Sequence, residues 1–387
     1  MNPLRSLHEE GQAVWLDFLA RPFIIKGELG KLVEHDGLTG VTSNPSIFGK
    51  AIGETADYDD ALKRAVDSGD HDPQALYELL AIEDVQYAAD VLRPVFEATG
   101  RNDGYVSLEV SPYLASNTLA TVDEARRLWK AVGRENLMIK VPATAAGVPA
   151  IRQLIGEGIN VNITLLFSQT VYGEVAEAYL AGLEEIVANG GDLTKIASVA
   201  SFFVSRIDTV VEKLIDAQLA EMPGSDDAAV LRGLRGKVAI ANAKLAYQHY
   251  QRLFSGPRCD HLKSQGARVQ RLLWASTGTK NPNYSDVLYV EELIGPETVN
   301  TMPPQTMAAF RDHGRVRASL QDNVADATQV MADLGRCGIS IDAVAGKLTS
   351  DGVTLFADAF DKLLSAIAQK RTALLGVQAD GQNQRNR

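Results

Sequence analysis

One lysine of this chain sits where a charge is hard to keep. Lys140 lies in Leu137-Met138-Ile139-Lys140-Val141-Pro142-Ala143-Thr144, an apolar run that reads as a buried strand ended by Pro142. Desolvation disfavours the charged form of an ammonium, and a neutral amine is the form that attacks carbonyls. A lysine at a strand end can also extend its head to water, and this stretch alone leaves both readings open. Other polar residues recur near the ends of apolar runs. Asp17 closes Ala13-Val14-Trp15-Leu16-Asp17-Phe18. Glu109 falls in Tyr105-Val106-Ser107-Leu108-Glu109-Val110-Ser111-Pro112, where Val106, Leu108 and Val110 face one way and Ser107, Glu109 and Ser111 the other. In residues 159–167, Asn160, Asn162 and Thr164 share a face opposite Val161, Ile163 and Leu165. Asn44 precedes Pro45, which biases it to an extended conformation and lets a helix begin only after it. Ser201 and Ser276 hold comparable places in later apolar runs, Arg206 follows one of them, and Lys280 follows the turn Thr277-Gly278-Thr279.

Gathered at one mouth, these residues suit imine chemistry. A desolvated lysine condenses with a ketone, two carboxylates are on hand for the proton transfers, and the iminium draws electrons from a neighbouring C–C bond. Asn44, Asn162 and Thr164 can orient sugar hydroxyls without adding charge. Arg206 offers a planar fork for a phosphate, and Lys280 is a candidate second cation. No metal-ligand triad is visible, and the six histidines fall outside these strand ends, which disfavours a zinc-dependent aldolase.

The elements that must position this set alternate. Strands are expected near residues 14, 41, 107, 139, 162, 199, 273 and 300, with helices between nearly all of them. Helices are expected at 3–13, 55–100, 118–132 with Thr121 as N-cap, 147–156, 169–188, 207–220, 227–255, 287–294, 305–312, 322–337 and 351–372, with a polar loop at Pro223-Gly224-Ser225-Asp226-Asp227. Strict β/α alternation implies a parallel sheet with right-handed crossovers, and eight units suggest a closed (β/α)8 barrel with additional helices and a helical C-terminal segment. An open doubly wound sheet is the alternative, but neither G-x-G-x-x-G nor G-x-x-x-x-G-K-[ST] occurs. We expect one domain over residues 1–378 and a polar, disordered tail over 379–387.

Composition narrows the function class. With 38 basic and 49 acidic residues the formal net charge is −11, which argues against nucleic acid or an anionic membrane as partner but allows a local cationic pocket for an anionic small molecule. Cys259 and Cys337 are the two cysteines, with no C-x-x-C, so neither a disulfide framework nor a thiolate metal site is expected. The first residues lack the apolar core of a signal peptide, and no stretch approaches the length of a membrane span. The expectation is a soluble cytoplasmic protein, monomeric or homodimeric.

Two long motifs carry a resemblance. Gly40-Val41-Thr42-Ser43-Asn44-Pro45-Ser46-Ile47-Phe48 resembles the first transaldolase signature, and Leu137-Met138-Ile139-Lys140 through Gly147-Val148 to Gln153-Leu154 resembles the second, which contains the Schiff-base lysine. Asn162-Ile163-Thr164-Leu165-Leu166-Phe167-Ser168 and Ser201-Phe202-Phe203-Val204-Ser205-Arg206 are also family-like, and Trp15-Leu16-Asp17 looks like the longer bacterial branch. The resemblance covers roughly residues 12–370. It implies a cofactor-free class I transaldolase of the non-oxidative pentose phosphate pathway, built on a (β/α)8 barrel. Such an enzyme moves a dihydroxyacetone unit from sedoheptulose 7-phosphate or fructose 6-phosphate to glyceraldehyde 3-phosphate or erythrose 4-phosphate. The catalytic set it implies is Lys140 as nucleophile, Glu109 for proton transfers through a water, Asp17 to take the proton from the hydroxyl of the carbon that becomes the aldehyde, and Thr164. The substrate-binding set it implies is Asn44, Asn162 and Ser201 for the dihydroxyacetone unit, Phe203 as pocket lining, and Arg206 and Ser276 for phosphate. One position departs: much of the family has an arginine two residues after the serine matching Ser276, and here that residue is Gly278, so Lys280 is the candidate replacement. A related lysine aldolase that releases free dihydroxyacetone and a catalytically silent sugar-phosphate-binding barrel are the competing readings.

Overall fold

Strands buried on both faces are rich in apolar residues, and eight such segments recur along this chain. In the computed structural model, which describes residues 2–69, 72–221 and 226–385, they form β1 (Gln12–Asp17), β2 (Gly40–Thr42), β3 (Tyr105–Glu109), β4 (Leu137–Pro142), β5 (Val161–Leu166), β6 (Ser198–Phe203), β7 (Arg271–Ala275) and β8 (Thr298–Met302). Each strand pairs in parallel with its sequence neighbours. β1 also pairs with β8, from Gln12↔Thr298 to Leu16↔Met302, and this closes the barrel. Helices cross between the strands, as the β/α alternation requires. Among the described residues, no helix is long and apolar enough to cross a membrane.

The N-terminal end of the barrel is closed by packing and a buried ion pair. Trp15 is fully buried, and its indole N–H donates to Asp103 Oδ1 at 2.7 Å. The other oxygen of Asp103 lies 3.2 Å from Nη1 of Arg271, the first residue of β7. The Trp15 ring lies flat on its strand partner Gly40, where a Cβ would come within 2.3 Å of ring carbon Cε2. Gly40, the opening residue of the first signature, therefore serves packing rather than chemistry. At this end the buried polar groups bond to one another, as Gln12 does to Thr298 and Gln270 to Ser198.

The structure departs from the sequence expectations in several places. The alternation of residues 159–167 breaks in β5, where the register against β6 shifts between Ile163 and Leu166 and Leu165 adopts φ +56°. This is a bulge beside the site. It turns Leu165 toward the last helix, whose Gly352 lies against its side chain, while the Thr349 hydroxyl donates to the Leu165 carbonyl at 3.4 Å. Asn117, not Thr121, caps the helix Thr118–Val132, because Asn117 is extended and accepts from the Ala120 amide at 3.1 Å. The Thr121 hydroxyl instead donates to the Leu114 carbonyl at 2.9 Å.

The expected helix at 227–255 is two helices, Asp226–Leu234 and Val238–Leu253, broken where Gly236 takes φ +69°. Of the polar loop before it, residues 223–225 lie outside the described residues, and Asp226 already opens the helix. The expected helix at 55–100 is likewise divided, into Asp59–Asp67 and Pro73–Ala98. Only Leu288–Glu291 is helical in 287–294. The C-terminal helix spans Ile341–Arg385, longer at both ends than expected and continuing past Ala379, where composition pointed to a tail.

Candidate active site

At the C-terminal ends of the strands lies a cavity of about 160 Å³. Of the residues singled out from sequence, Asp17, Asn44, Lys140, Thr164, Ser201, Phe203, Arg206, Ser276 and Lys280 line it. Glu109 and Asn162 do not. They stand on either side of Lys140 in the sheet, since Glu109 pairs with Lys140 across β3–β4 and Lys140 with Asn162 across β4–β5.

Lys140 is 5% exposed. Its Nζ donates to the Ser43 carbonyl at 3.0 Å and lies 3.6 Å from Glu109 Oε2. The second distance is too long for a hydrogen bond, but the pair is enclosed, so the attraction is weakly screened. Burial pushes the Glu109 carboxyl up; Lys140 pulls it down, and the nearby Asp17 charge adds to the rise. Glu109 Oε2 and Thr164 Oγ1 are both buried without a hydrogen-bond partner among the described residues. Such oxygens cost roughly 1–3 kcal/mol each when left unsatisfied, and active sites are where that cost is tolerated.

Asn162 is wholly buried, and both ends of its amide are hydrogen-bonded. Nδ2 donates to Ser107 Oγ at 2.9 Å, and Oδ1 accepts from Ser201 Oγ at 2.6 Å. This chain of three side chains crosses the barrel from β3 to β6 and holds Ser201, the member that reaches the cavity. Asn44 is extended, as its place before Pro45 dictates, and its Oδ1 accepts the Ile47 amide at 3.1 Å as the cap of helix Pro45–Phe48. Its amide nitrogen is left to serve as a donor.

Asp17 ends β1 and accepts from the Thr42 hydroxyl at 2.7 Å; Thr42 in turn lies 2.8 Å from the Thr301 hydroxyl. Burial pushes the Asp17 carboxyl up, against the pull of Lys140, the Thr42 hydrogen bond, Arg206 and Lys280. The Arg206 guanidinium lies 5.3 Å from the centre of the Phe203 ring. Burial pulls its pKa down, and Asp17 opposes the shift. Among the described residues, neither Arg206 nor Lys280 has a hydrogen-bonded or ion-paired partner. Ser276 sits at φ +55°, a conformation that costs a non-glycine residue energy, with its Oγ 3.0 Å from that of Ser205. Three basic side chains thus line the cavity (Lys140, Arg206, Lys280) against one carboxylate, Asp17. The pocket is locally cationic in a chain of net charge −11.

Five further residues line the cavity without having stood out in the sequence: Thr42, Ala275, Thr301, Pro303 and Phe356. The two threonines carried a usable signal, being polar side chains near the C-terminal ends of apolar strands. Phe356 carried none, because it enters from the C-terminal helix. Among the described residues, no group of three or more His, Cys, Asp or Glu side chains is arranged to hold a metal ion.

Comparison with known proteins agrees with this geometry. The model of the transaldolase/fructose-6-phosphate aldolase family matches residues 14–367. A protein named Transaldolase 2 from Nostoc sp. is 48% identical over 375 residues, which cover 96% of this chain and 98% of the relative. A transaldolase from Thiobacillus denitrificans is 48% identical over 367 residues, covering 95% of this chain and 100% of the relative. Transaldolase 1 from Streptomyces avermitilis is 48% identical over 380 residues, covering 98% and 97%.

Proposed function

The chain belongs to the transaldolase/fructose-6-phosphate aldolase family, and on that premise we propose that it is a transaldolase working through a Schiff base on Lys140. One observation carries the reading: the buried Lys140 amine opens onto the same cavity as Asp17 and two cations without partners. Lys140 Nζ attacks the C2 carbonyl of a ketose phosphate. Glu109, 3.6 Å away, serves the proton transfers by which the adduct loses water and becomes an iminium. Asp17 then takes the proton of the C4 hydroxyl. The C3–C4 bond breaks, its electrons enter the iminium to give an enamine, and an aldose phosphate leaves. When an acceptor aldose phosphate enters, the enamine attacks its aldehyde carbon and the new oxygen takes a proton from Asp17. Water then releases the product ketose and restores the amine.

The remaining groups orient the chain of hydroxyls. Asn44, Thr164 and Ser201 face the dihydroxyacetone unit, and Asn162 acts from behind by holding Ser201. Arg206, Ser276 and Lys280 take the phosphate, so that Lys280 supplies the second cation that Gly278 cannot. The substrates are sugar phosphates, and the reaction is cytoplasmic. Cys259 and Cys337, buried and unpaired, suit a reducing compartment.

The competing member of the same family is an aldolase that releases dihydroxyacetone. Product analysis separates them. Incubated with fructose 6-phosphate and erythrose 4-phosphate, the enzyme should convert them to glyceraldehyde 3-phosphate and sedoheptulose 7-phosphate much faster than it releases dihydroxyacetone from fructose 6-phosphate alone. Release of dihydroxyacetone at an equal or greater rate would assign the aldolase activity instead.

A further inference from the structure

Lys280 lies in the loop that leaves β7, and the cavity gives it no partner that would fix its place. Its position depends on what holds the loop. Within the loop, the Thr279 hydroxyl donates to the Ser285 carbonyl at 2.8 Å, and the Asn281 side chain accepts the Asn283 amide at 3.0 Å. These bonds shape the turn but do not tie it to the barrel. The Thr277 hydroxyl, before Lys280, donates to Asn300 Oδ1 of β8 at 2.9 Å, and Asp286, at the far end of the loop, pairs with His313 Nε2 at 2.9 Å; between these two anchors the stretch around Lys280 is tied by Glu212. Asn281 Nδ2 donates to Glu212 Oε2 at 3.1 Å, and the Tyr284 hydroxyl donates to Glu212 Oε1. Both oxygens of one carboxylate are thus engaged by a single loop, at positions one and four residues beyond Lys280.

Glu212 belongs to the helix Ser205–Glu221, whose second residue is Arg206. The two cations proposed to grip phosphate therefore meet through this carboxylate: Arg206 on its own helix, Lys280 on the loop it holds. The Tyr284 ring is seated as well. It lies over Gly236, where a Cβ would come 2.9 Å from ring carbon Cζ, so the break between the helices Asp226–Leu234 and Val238–Leu253 makes room for it. Burial and the Glu212 charge both raise the Tyr284 phenol, which keeps it a donor. Glu212 does not line the cavity.

We propose that Glu212 is a positioning residue that fixes the Lys280 loop against the Arg206 helix and so sets the spacing of the two cations for a substrate phosphate. This rests on the reading of Lys280 as a phosphate ligand given above. A carboxylate suits the task because it accepts from both donors at once and makes stronger hydrogen bonds than a neutral acceptor. Glutamine at 212 would keep one acceptor for the Asn281 amide and offer its own amide to the Tyr284 oxygen, replacing two charge-assisted bonds by weaker neutral ones.

Steady-state kinetics with fructose 6-phosphate and with unphosphorylated dihydroxyacetone as donors test this on the full-length enzyme. Glu212→Ala should raise the fructose 6-phosphate KM about tenfold, with kcat within about twofold of wild type and the dihydroxyacetone KM little moved. Glu212→Gln should fall between wild type and Glu212→Ala. Tyr284→Phe removes one of the two bonds while leaving the ring over Gly236, and it should show the same selective rise to a smaller extent; it carries the test should Glu212→Ala not fold. In a Lys280→Ala background, Glu212→Ala should add little, because both act on one contact. Equal losses on both donors, a fall in kcat alone, or full additivity with Lys280→Ala would overturn the role of Glu212. If Lys280→Ala by itself leaves the fructose 6-phosphate KM unchanged, the phosphate reading of Lys280 fails and the role of Glu212 fails with it.

Discussion

Replacing Asp208 by Asn should flatten the pH dependence of folding stability. Asp208 lies two residues beyond Arg206, on the helix that carries it, and is 2% exposed. Its Oδ1 accepts the Ala239 amide at 2.8 Å and its Oδ2 the Tyr289 hydroxyl at 2.9 Å. Burial is the dominant influence and pushes its pKa from 3.8 up to about 6; the two hydrogen bonds oppose the rise and Glu212 adds to it. A carboxyl raised in the folded state binds its proton more tightly there than in the unfolded chain. Its contribution to stability is therefore fully present below the unfolded pKa, near 3.9, and is lost as pH rises through about 6. The full difference is about 3 kcal/mol, and the part that falls between pH 5 and pH 8 is about 1.4 kcal/mol. Asparagine has the same shape, can accept from Ala239 and donate to the Tyr289 oxygen, and does not titrate. Urea unfolding of wild type and Asp208→Asn at pH 5 and pH 8 measures the effect. Wild type should lose about 1.4 kcal/mol more than the variant between the two pH values. Parallel pH dependences would refute the placement of a buried carboxyl at 208.

Three further substitutions probe the site and its scaffold. Asp17→Ala should spare imine formation and block bond cleavage, so borohydride should trap the intact six-carbon ketose, whereas Glu109→Gln should slow imine formation itself; the reverse pattern would exchange the two roles. Lys280→Ala should weaken binding of phosphorylated sugars by roughly 1.5–3 kcal/mol, the range for a hydrogen bond to a charged group, and barely affect dihydroxyacetone; isothermal titration with both ligands checks it, and equal losses would return Lys280 to a solvated loop. Gly40→Ala places a methyl 2.3 Å from the Trp15 ring, and chemical denaturation should show a loss of about 1–3 kcal/mol from overpacking; an unchanged midpoint would mean that the ring is free to move.

The barrel was legible because its signal is repeated eight times. Each strand is a short apolar run with a polar residue near its C-terminal end, and closure follows from the alternation. The same regularity exposed Asp17, Lys140, Thr164 and Ser201. What stayed hidden depends on contacts that local pattern does not encode. Residues 159–167 alternate in sequence, yet Leu165 turns out of register because the last helix packs against it. Thr121 and Asn117 are both acceptable caps by type, and only the extended backbone at Asn117 selects between them. Asn162 has the right type and strand position for a sugar ligand, but it does not line the cavity, and its amide is bonded to Ser107 and Ser201 instead. Phe356 reaches the cavity from a helix 80 residues beyond Ser276, and no local spacing predicts that approach. Gly236 breaks one helix into two, and a glycine in an otherwise helical pattern is tolerated too often for sequence alone to mark the break.

The central claim is that the buried amine of Lys140 is the covalent nucleophile, and one measurement meets it directly. The enzyme is incubated with fructose 6-phosphate, reduced with borohydride and digested, and its peptides are analysed by mass. A reduced three-carbon unit is expected on the peptide containing Lys140 and should be absent in Lys140→Arg. A label on Lys280 or another lysine, or no label in an enzyme that still exchanges ketose and aldose phosphates, would contradict it.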